Sequence, residues 1–230
     1  MSATSTGLVS LLGLDPATYR PHPLHGPERA YRETNCWTDV LIELVHARGD
    51  EPLAVMGSLV RMDFEGDQWT FFKPPPADLE DLLGLDVHEM QPWRDLPEQI
   101  EEQLRAGRTV MVELDSWYLP DTTATSYRTA HVKTGVAVEG IDRTGERLRY
   151  FHATSLYDLE GEDYRGAFRF GRPFSDDVLP PYVELVRFDA APPPEHLRAA
   201  ARAATRRHLD RAPADNPFVR FGARLADDLP

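Results

Sequence analysis

The strongest constraint on the fold of this chain is a change of sequence pattern at Gly107. Before it, the segments show helical periodicity, whereas after it short runs rich in β-branched residues are separated by turns. Helices followed by strands are typical of an α+β fold and differ from the alternating order of a doubly wound sheet. We therefore expect a helical N-terminal part and an antiparallel C-terminal sheet.

The clearest helix is predicted within Glu33–His46. Apolar residues recur there at spacings of three and four, which places them on one helical face: Trp37, Val40, Leu41, Leu44 and Val45. Thr34 or Asn35 can cap the start of this helix, and Gly49 can end it. Proline and glycine positions predict further helices over 52–60, 74–86 and 95–107.

Strands are predicted where β-branched and aromatic residues cluster. These segments are the aromatic end of 62–72, and 109–115, 131–141, 146–152 and 182–188. The turn sequence Asp142–Glu146 would join 131–141 to 146–152 in a hairpin, and residues 160–168 suggest a helical turn. The hairpin favours antiparallel pairing in the predicted sheet.

Both ends of the chain lie outside this pattern. Residues 1–30 mix proline and histidine without a period, and we interpret them as an extended segment on the surface. Residues 189–195 (DAAPPPE) indicate a linker, so that 190–230 is expected to be a linker with a helical tail. The helix in that tail, Glu195–Arg211, is rich in arginine and can either dock an acidic partner or form a solvated face.

Composition narrows the functional classes. A net charge of −13 argues against nucleic-acid binding, which needs a basic field. The single cysteine excludes an internal disulfide and favours a reducing compartment. The N-terminal apolar run has no basic residue before Arg20, unlike a signal peptide, and no segment reaches the length of a membrane span. We expect a cytoplasmic protein with no membrane or nucleic-acid partner.

Nucleotide and metal motifs are missing from the sequence. Neither of the common glycine-rich phosphate loops occurs. His22 and His25 have no carboxylates at ligand spacing after them, and the acidic clusters at 65–67 and 160–163 lack the spacing of a calcium loop. No metal and no cofactor are therefore expected.

Cys36 is the candidate nucleophile. In the first turn of its helix, unpaired backbone N–H groups and the helix dipole would favour a thiolate. His131 is the candidate base, because it opens a predicted strand and shares a strand face with Lys133 and Gly135. The alternative is structural: Cys36 borders the apolar stripe and can fill a core, and His131 can serve as a hydrogen-bonding residue. Pattern alone leaves both interpretations open.

The chain resembles papain-like cysteine enzymes in the order of these elements. Three stretches resemble the N-terminal domain of BtrH-type acyltransferases, which are related to peptidases that cut leader peptides after double glycine: 35–71, 106–120 and 130–152. The strings ETNC, DFEGDQWTFFKPP, YLPDT and LEGED resemble the domain-of-unknown-function family numbered 1839. The resemblance implies a papain-like catalytic domain over residues 31–189.

The resemblance also implies roles for individual residues. Cys36 would be the nucleophile and His131 the general base, with His152 near the usual place of the third triad member. Asp115 and Asp142 are alternatives for that third position. The usual oxyanion glutamine is replaced by Ala30, so Asn35 or backbone N–H groups would stabilise the oxyanion.

The implied reaction is acyl transfer. An acyl or aminoacyl group would pass from the phosphopantetheine thioester of a carrier protein to a small-molecule amine, through an acyl-cysteine. Asp115, Tyr118 and Asp121 are candidate substrate-binding residues, with packing and turn formation as the alternative. A peptidase or thioesterase with the same residues, or a non-catalytic carrier-binding module, remains an alternative, and the arginine-rich helix is a candidate contact for an acidic carrier.

Overall fold

The computed structural model describes residues 7–26, 35–172 and 179–229. The predicted helix cap at Thr34 and the position of Ala30 lie outside these residues. In the described part of the chain the fold is α+β, as predicted. No helix in that part is long and apolar enough to cross a bilayer.

Seven strands of the described residues form one sheet, in the order β2-β7-β3-β4-β5-β6 with β1 paired to β4. The registers of β3 with β4 and β7, of β4 with β1 and β5, and of β5 with β6 are all antiparallel. The strands are Val9–Ser10 (β1), Leu85–Met90 (β2), Thr109–Asp115 (β3), Lys133–Asp142 (β4), Arg147–His152 (β5), Ser155–Glu160 (β6) and Val183–Phe188 (β7).

Six α-helices and four 3₁₀ segments accompany the sheet in the described residues. The α-helices are Cys36–Ala47 (α1), Pro76–Leu83 (α2), Leu96–Arg105 (α3), Glu162–Ala167 (α4), Pro194–Leu209 (α5) and Pro217–Asp228 (α6). The 3₁₀ segments are Pro23–His25, Pro52–Arg61, Ser116–Tyr118 and Pro120–Thr122. The predicted helices at 74–86 and 95–107 are thus confirmed as α2 and α3.

The strand predicted at the aromatic end of 62–72 is wrong. Within 62–72 only Phe64 and Trp69 form an isolated antiparallel bridge. The Glu65 N–H donates to the carbonyl of Gln68 at 2.8 Å, and Gly66 takes a φ of +85°. The chain therefore reverses within four residues, because the charged EGDQ sequence favours a tight turn over an extended strand.

The sheet has two differently packed faces. Alternate residues of β3 and β4, such as Val112 and Val136, join a buried core that includes Ile100 and Leu104 of α3. Helix α1 packs against β4 and β5, and Gly135 of β4 approaches Cys36 at its start. Since side chains alternate along a strand, the residues in register with Gly135 lie on the α1 side of the sheet.

The chain divides into two compact units, which differ from the predicted division at residue 190. One unit contains residues 1–49 and 86–188, and the other contains 50–85 and 189–230. In the second unit α5 packs against the 3₁₀ segment Pro52–Arg61 and against α2. His208 Nε2 lies 2.5 Å from Asp78 Oδ2, so the arginine-rich helix is anchored to the 50–85 segment by a buried polar pair.

Gly84 is a position in the second unit where a side chain cannot be accommodated. It ends α2 with a φ of +61°, and a Cβ there would lie 2.6 Å from the carbonyl oxygen of Asp189. We expect Gly84→Ala to lower the free energy of unfolding by about 2 kcal/mol or more, through left-handed strain and a backbone clash together. Urea unfolding measures this.

The matched control is Gly66→Ala. Gly66 also has a positive φ, but a Cβ there meets no atom within 4 Å. Gly66→Ala should lower the free energy of unfolding by about 1 kcal/mol, which is the cost of a left-handed backbone conformation without a clash. Equal losses in the two variants would contradict the clash at Gly84.

Candidate active site

Cys36 is the first residue of α1 and is partly exposed. Asn35 caps the helix, since its Oδ1 accepts the Thr38 N–H at 3.1 Å. The capping prediction for Asn35 is therefore confirmed, and this oxygen is engaged in the cap. At this position the residue lies in the first helical turn, where backbone N–H groups have no partner within the helix.

The thiol lies over the middle of the sheet at β4. A Cβ added to Gly135 would be 3.7 Å from Cys36 Sγ, so the thiol occupies the space above a residue that has no side chain. Gly135 is paired with Glu113 of β3, and the next pair on this face is Lys133 with Asp115. Glu113 and Asp115 therefore lie on the same face of the sheet as the thiol.

Asp115 holds the imidazole of His131. His131 Nδ1 lies 2.6 Å from Asp115 Oδ2, and its ring stacks on Trp117 with centroids 4.5 Å apart and an interplanar angle of 12°. Because an ionised carboxylate only accepts hydrogen bonds, Nδ1 carries the hydrogen and Nε2 presents a lone pair. The His131 side chain is 63% exposed, so Nε2 is accessible to a substrate.

The thiol and the imidazole share a face but are not hydrogen-bonded. Among the described residues Cys36 Sγ makes no hydrogen bond, and its neighbour Gly135 is one side-chain repeat, roughly 7 Å, from the Lys133–Asp115 pair. Catalytic hydrogen bonds are often long in ligand-free enzymes and shorten when substrate is bound. Cys36 and the Asp115 carboxylate that contacts His131 therefore lie on one face of the sheet.

His152 lies on the opposite face of the sheet. Its Nδ1 donates to Asp121 Oδ2 at 2.5 Å, and its Nε2 lies 2.9 Å from the Thr134 hydroxyl. Thr134 is paired with Leu114 of the buried core, so it projects away from the Gly135 face. Because Nδ1 donates to Asp121, Nε2 accepts from the Thr134 hydroxyl. Neither nitrogen of His152 is therefore directed at Cys36. The predicted alternative, Asp115, occupies the position beside His131 instead.

Asp121 and Tyr118 also have structural partners. Besides His152, Asp121 accepts the Tyr150 hydroxyl at 2.5 Å, and burial followed by the Asp121 carboxylate raises the Tyr150 pKa well above its usual range. Tyr118 packs closely against Gly166 of α4, and its hydroxyl accepts from Arg172 at 3.2 Å. The structure thus assigns Asp121 and Tyr118 to fastening the β3–β4 connection rather than to an open binding surface.

Helix α1 is held by a buried charged cluster that sequence pattern did not identify. His25 Nδ1 is hydrogen-bonded to Glu43, and its Nε2 lies 3.5 Å from Asp39 Oδ1. Tyr19 donates to the other Glu43 oxygen at 2.5 Å. Residues 19–25 are therefore tied to α1 about one and two turns after Cys36. The sequence gives no signal for this role of His25, because its partners Asp39 and Glu43 are distant in the chain.

The same cluster carries a titratable charge. Burial opposes protonation of His25, but attraction to Asp39 and Glu43 outweighs it and raises the pKa of His25 from 6.5 to about 9. A raised pKa in the folded state means that protonation stabilises the fold fully below pH 6.5. This contribution is lost as the pH rises through about 9.

A second buried carboxylate, that of Glu184, contacts Trp37, the residue that follows Cys36 in the chain. Trp37 Nε1 donates to Glu184 Oε2 at 2.5 Å, and the Tyr182 hydroxyl lies 3.0 Å from Glu184 Oε1. Burial and then Glu184 raise the pKa of Tyr182 to about 12, so Tyr182 remains a neutral donor at neutral pH. Since Glu184 pairs with Met111, it lies on the same sheet face as Glu113 and adds to the acidic character of this region.

We expect Asp121→Asn to destabilise the protein by about 1–3 kcal/mol, because one buried donor of His152 or Tyr150 loses its acceptor. Urea unfolding measures the loss, and alkylation of Cys36 in the native protein should be unchanged, since the network lies on the other face. Asp81→Asn, at an exposed position of α2, is the control. A loss no larger than that of the control would contradict a structural role for Asp121.

The His25 cluster predicts a pH-dependent stability difference. The free energy of unfolding of the wild type should exceed that of His25→Gln most strongly below pH 6.5, and the difference should shrink as the pH passes about 9. Denaturant unfolding across this range measures it, with His196→Gln on the exposed side of α5 as the control. A difference that is constant with pH would show that His25 is not protonated in the folded protein.

A comparison with protein families identifies the family to which this chain belongs. The family model of the DUF1839 N-terminal domain matches residues 20–188, which include the buried His25 cluster, Cys36 and the Asp115–His131 pair. No curated protein matches the chain. The match covers well over half of the sequence, and the chain therefore belongs to the DUF1839 N-terminal domain family.

Proposed function

We propose that this protein is a cysteine-dependent acyltransferase that moves an acyl or aminoacyl group from a carrier-protein thioester to an amine. The observation that carries the proposal is the Asp115–His131 pair on the sheet face that also bears Cys36. A carboxylate that fixes an imidazole next to a helix-start thiol is the arrangement used in nucleophilic catalysis by cysteine. Under this proposal the architecture is papain-like and related to BtrH-type acyltransferases.

The first half-reaction forms the acyl-enzyme. His131 Nε2 takes the thiol proton, and the Cys36 thiolate attacks the thioester carbonyl. The carbon–sulfur bond to the carrier then breaks, and the imidazolium returns its proton to the departing phosphopantetheine thiolate. Asp115 keeps Nδ1 protonated and stabilises the imidazolium while it exists.

The second half-reaction transfers the acyl group. The amine attacks the acyl-Cys36 carbonyl while His131 Nε2 removes its proton, and the Cys36 thiolate leaves and is ready for the next donor. Backbone N–H groups at the start of α1, or the side-chain NH₂ group of Asn35, would supply donors for the developing oxyanion.

The acidic surroundings of the thiol support an amine as the acceptor. Glu113 lies directly opposite Gly135 and Asp115 follows on the same face, with side chains about one-third exposed at 31% and 32%. Lys133 forms an ion pair with Glu113 through its side chain, which is 78% exposed and extends toward solvent. Carboxylates on the same face as the thiol would attract an ammonium group and hold it near the acyl-enzyme before it loses its proton.

The proposal is tested by intact-mass measurement after incubation with an aminoacyl pantetheine thioester. The wild type should gain the mass of the acyl group, and Cys36→Ala should not. Asp115→Asn should acylate on the order of 10² to 10⁴ times more slowly, because His131 loses the partner that fixes its tautomer. Glu80→Gln, at an exposed position of α2, is the control and should retain the acylation rate.

Adding an amine separates the possible reactions. Amine-dependent loss of the adduct with formation of an amide supports a transferase, whereas rapid loss in water alone would indicate a thioesterase or peptidase. Absence of an adduct, together with unchanged carrier binding in Cys36→Ala, would contradict covalent catalysis and favour the carrier-binding module.

A further inference from the structure

The unit formed by residues 50–85 and 189–230 contains a cavity of about 180 Å³. Its wall combines two cationic side chains, two hydroxyls and two phenyl rings, which are Arg61, Lys73, Ser58, Thr70, Phe71 and Phe72. All of them come from the stretch that begins with the 3₁₀ segment Pro52–Arg61 and ends before α2. The cavity is therefore built by one continuous part of the chain.

The charge of this cavity is opposite to that of its surroundings. Between residues 50 and 85 the sequence has eight acidic residues, and Arg61 and Lys73 are its only basic ones. Both line the cavity. The positive charge of an otherwise acidic segment is thus concentrated at one concave site, and this favours an anionic ligand there.

Arg61 and Thr70 have donor groups that the fold leaves available. In the described part of the chain the Arg61 guanidinium has no ion-pair or hydrogen-bond partner, whereas Arg220 in the same unit pairs with Asp63. The Thr70 hydroxyl oxygen accepts the Asp63 N–H at 2.9 Å, so its own hydrogen remains to be donated. Ser58 donates to the Val55 carbonyl at 2.9 Å and contributes only lone pairs.

The apolar part of the wall favours a ligand with a carbon portion. Phe71 is 65% exposed beside the cationic groups, although a large apolar side chain at such exposure forfeits most of its burial energy. Phe72 is buried and forms the inner part of the wall. An aromatic face next to two cations accommodates an apolar group that carries an anion at one end.

We propose that this cavity binds a phosphate monoester of an apolar organic molecule. Two cations and a hydroxyl donor match the double charge and several oxygens of a phosphate monoester better than the single charge of a carboxylate. The guanidinium of Arg61 would bind two phosphate oxygens, the Lys73 ammonium would neutralise the second charge, and Phe71 would cover the organic portion. This site is separate from the thiol chemistry, and its test needs no catalytic activity.

The probe is phenyl phosphate, followed by isothermal titration calorimetry at low salt on the full chain. We expect binding that weakens about 10-fold or more in Arg61→Gln and in Lys73→Gln, because each substitution removes a charge-assisted contact. Arg202→Gln on α5, an exposed arginine outside the cavity, is the control and should bind as the wild type does. Far-UV circular dichroism verifies that each variant is folded.

Two further probes define the ligand class. Inorganic phosphate should bind more weakly than phenyl phosphate, and Phe71→Ser should remove this advantage; equal binding of the two would overturn the assignment of an organic ester. Benzoate should bind more weakly than phenyl phosphate, and equal affinity would overturn the preference for phosphate. No binding of phenyl phosphate at millimolar concentration, or unchanged binding in Arg61→Gln, would overturn the site itself.

Discussion

The antiparallel register between β3 and β4 is the constraint on which the candidate site depends. It pairs Asp115 with Lys133 and Glu113 with Gly135, and strand alternation then fixes which side chains share a face with the thiol. A slip of β3 by one residue would move Asp115 to the core side, away from the face that bears Gly135. The register is secured because the alternate residues, Val112 and Val136 among them, are buried against α3.

Helix α1 must be held firmly if Cys36 is to stay above Gly135. Apolar packing supplies part of this, since Val40, Leu44 and Val45 are fully buried. The remainder comes from the His25–Glu43–Asp39 cluster, which ties residues 19–25 to the same helix. Removing one member of such a cluster leaves a buried charge without its partner, so the cluster enforces a specific arrangement. The site thus depends on an N-terminal segment that has no catalytic group.

The two histidines of the predicted site differ in what their surroundings allow. His131 has one nitrogen fixed by Asp115 and the other open, which suits a group that transfers protons. His152 has both nitrogens engaged, by Asp121 and Thr134, within a buried network that joins the β3–β4 connection to β5. The first therefore has the role of a base in the mechanism that we propose, while the second orders the loop that lies between Asp115 and His131.

The sequence was most informative where a local pattern is compatible with only one type of secondary structure. β3 begins and ends where the β-branched run predicted, and the Asn35 cap and the turn at Asp142–Glu146 follow from side-chain chemistry within a few residues. The sequence was least informative where neighbouring residues favour different local structures. The 62–72 segment has strand-forming aromatic residues, but its EGDQ turn dominates. In β2 and β6, charged residues interrupt the apolar pattern, so these strands depend on their partners in the sheet.

By itself the sequence determined the α+β class, the helix start at Cys36 and the strand face shared by Lys133 and Gly135, because periodicity and capping are local properties. The predicted strand start at His131 is wrong, because β4 begins at Lys133. Only the tertiary structure decided that Asp115 rather than His152 holds His131, that Asp121 is buried in a network, and that Arg61 and Lys73 meet at one cavity. These are contacts between elements distant in the chain, and they depend on strand register and helix packing, which no local pattern encodes.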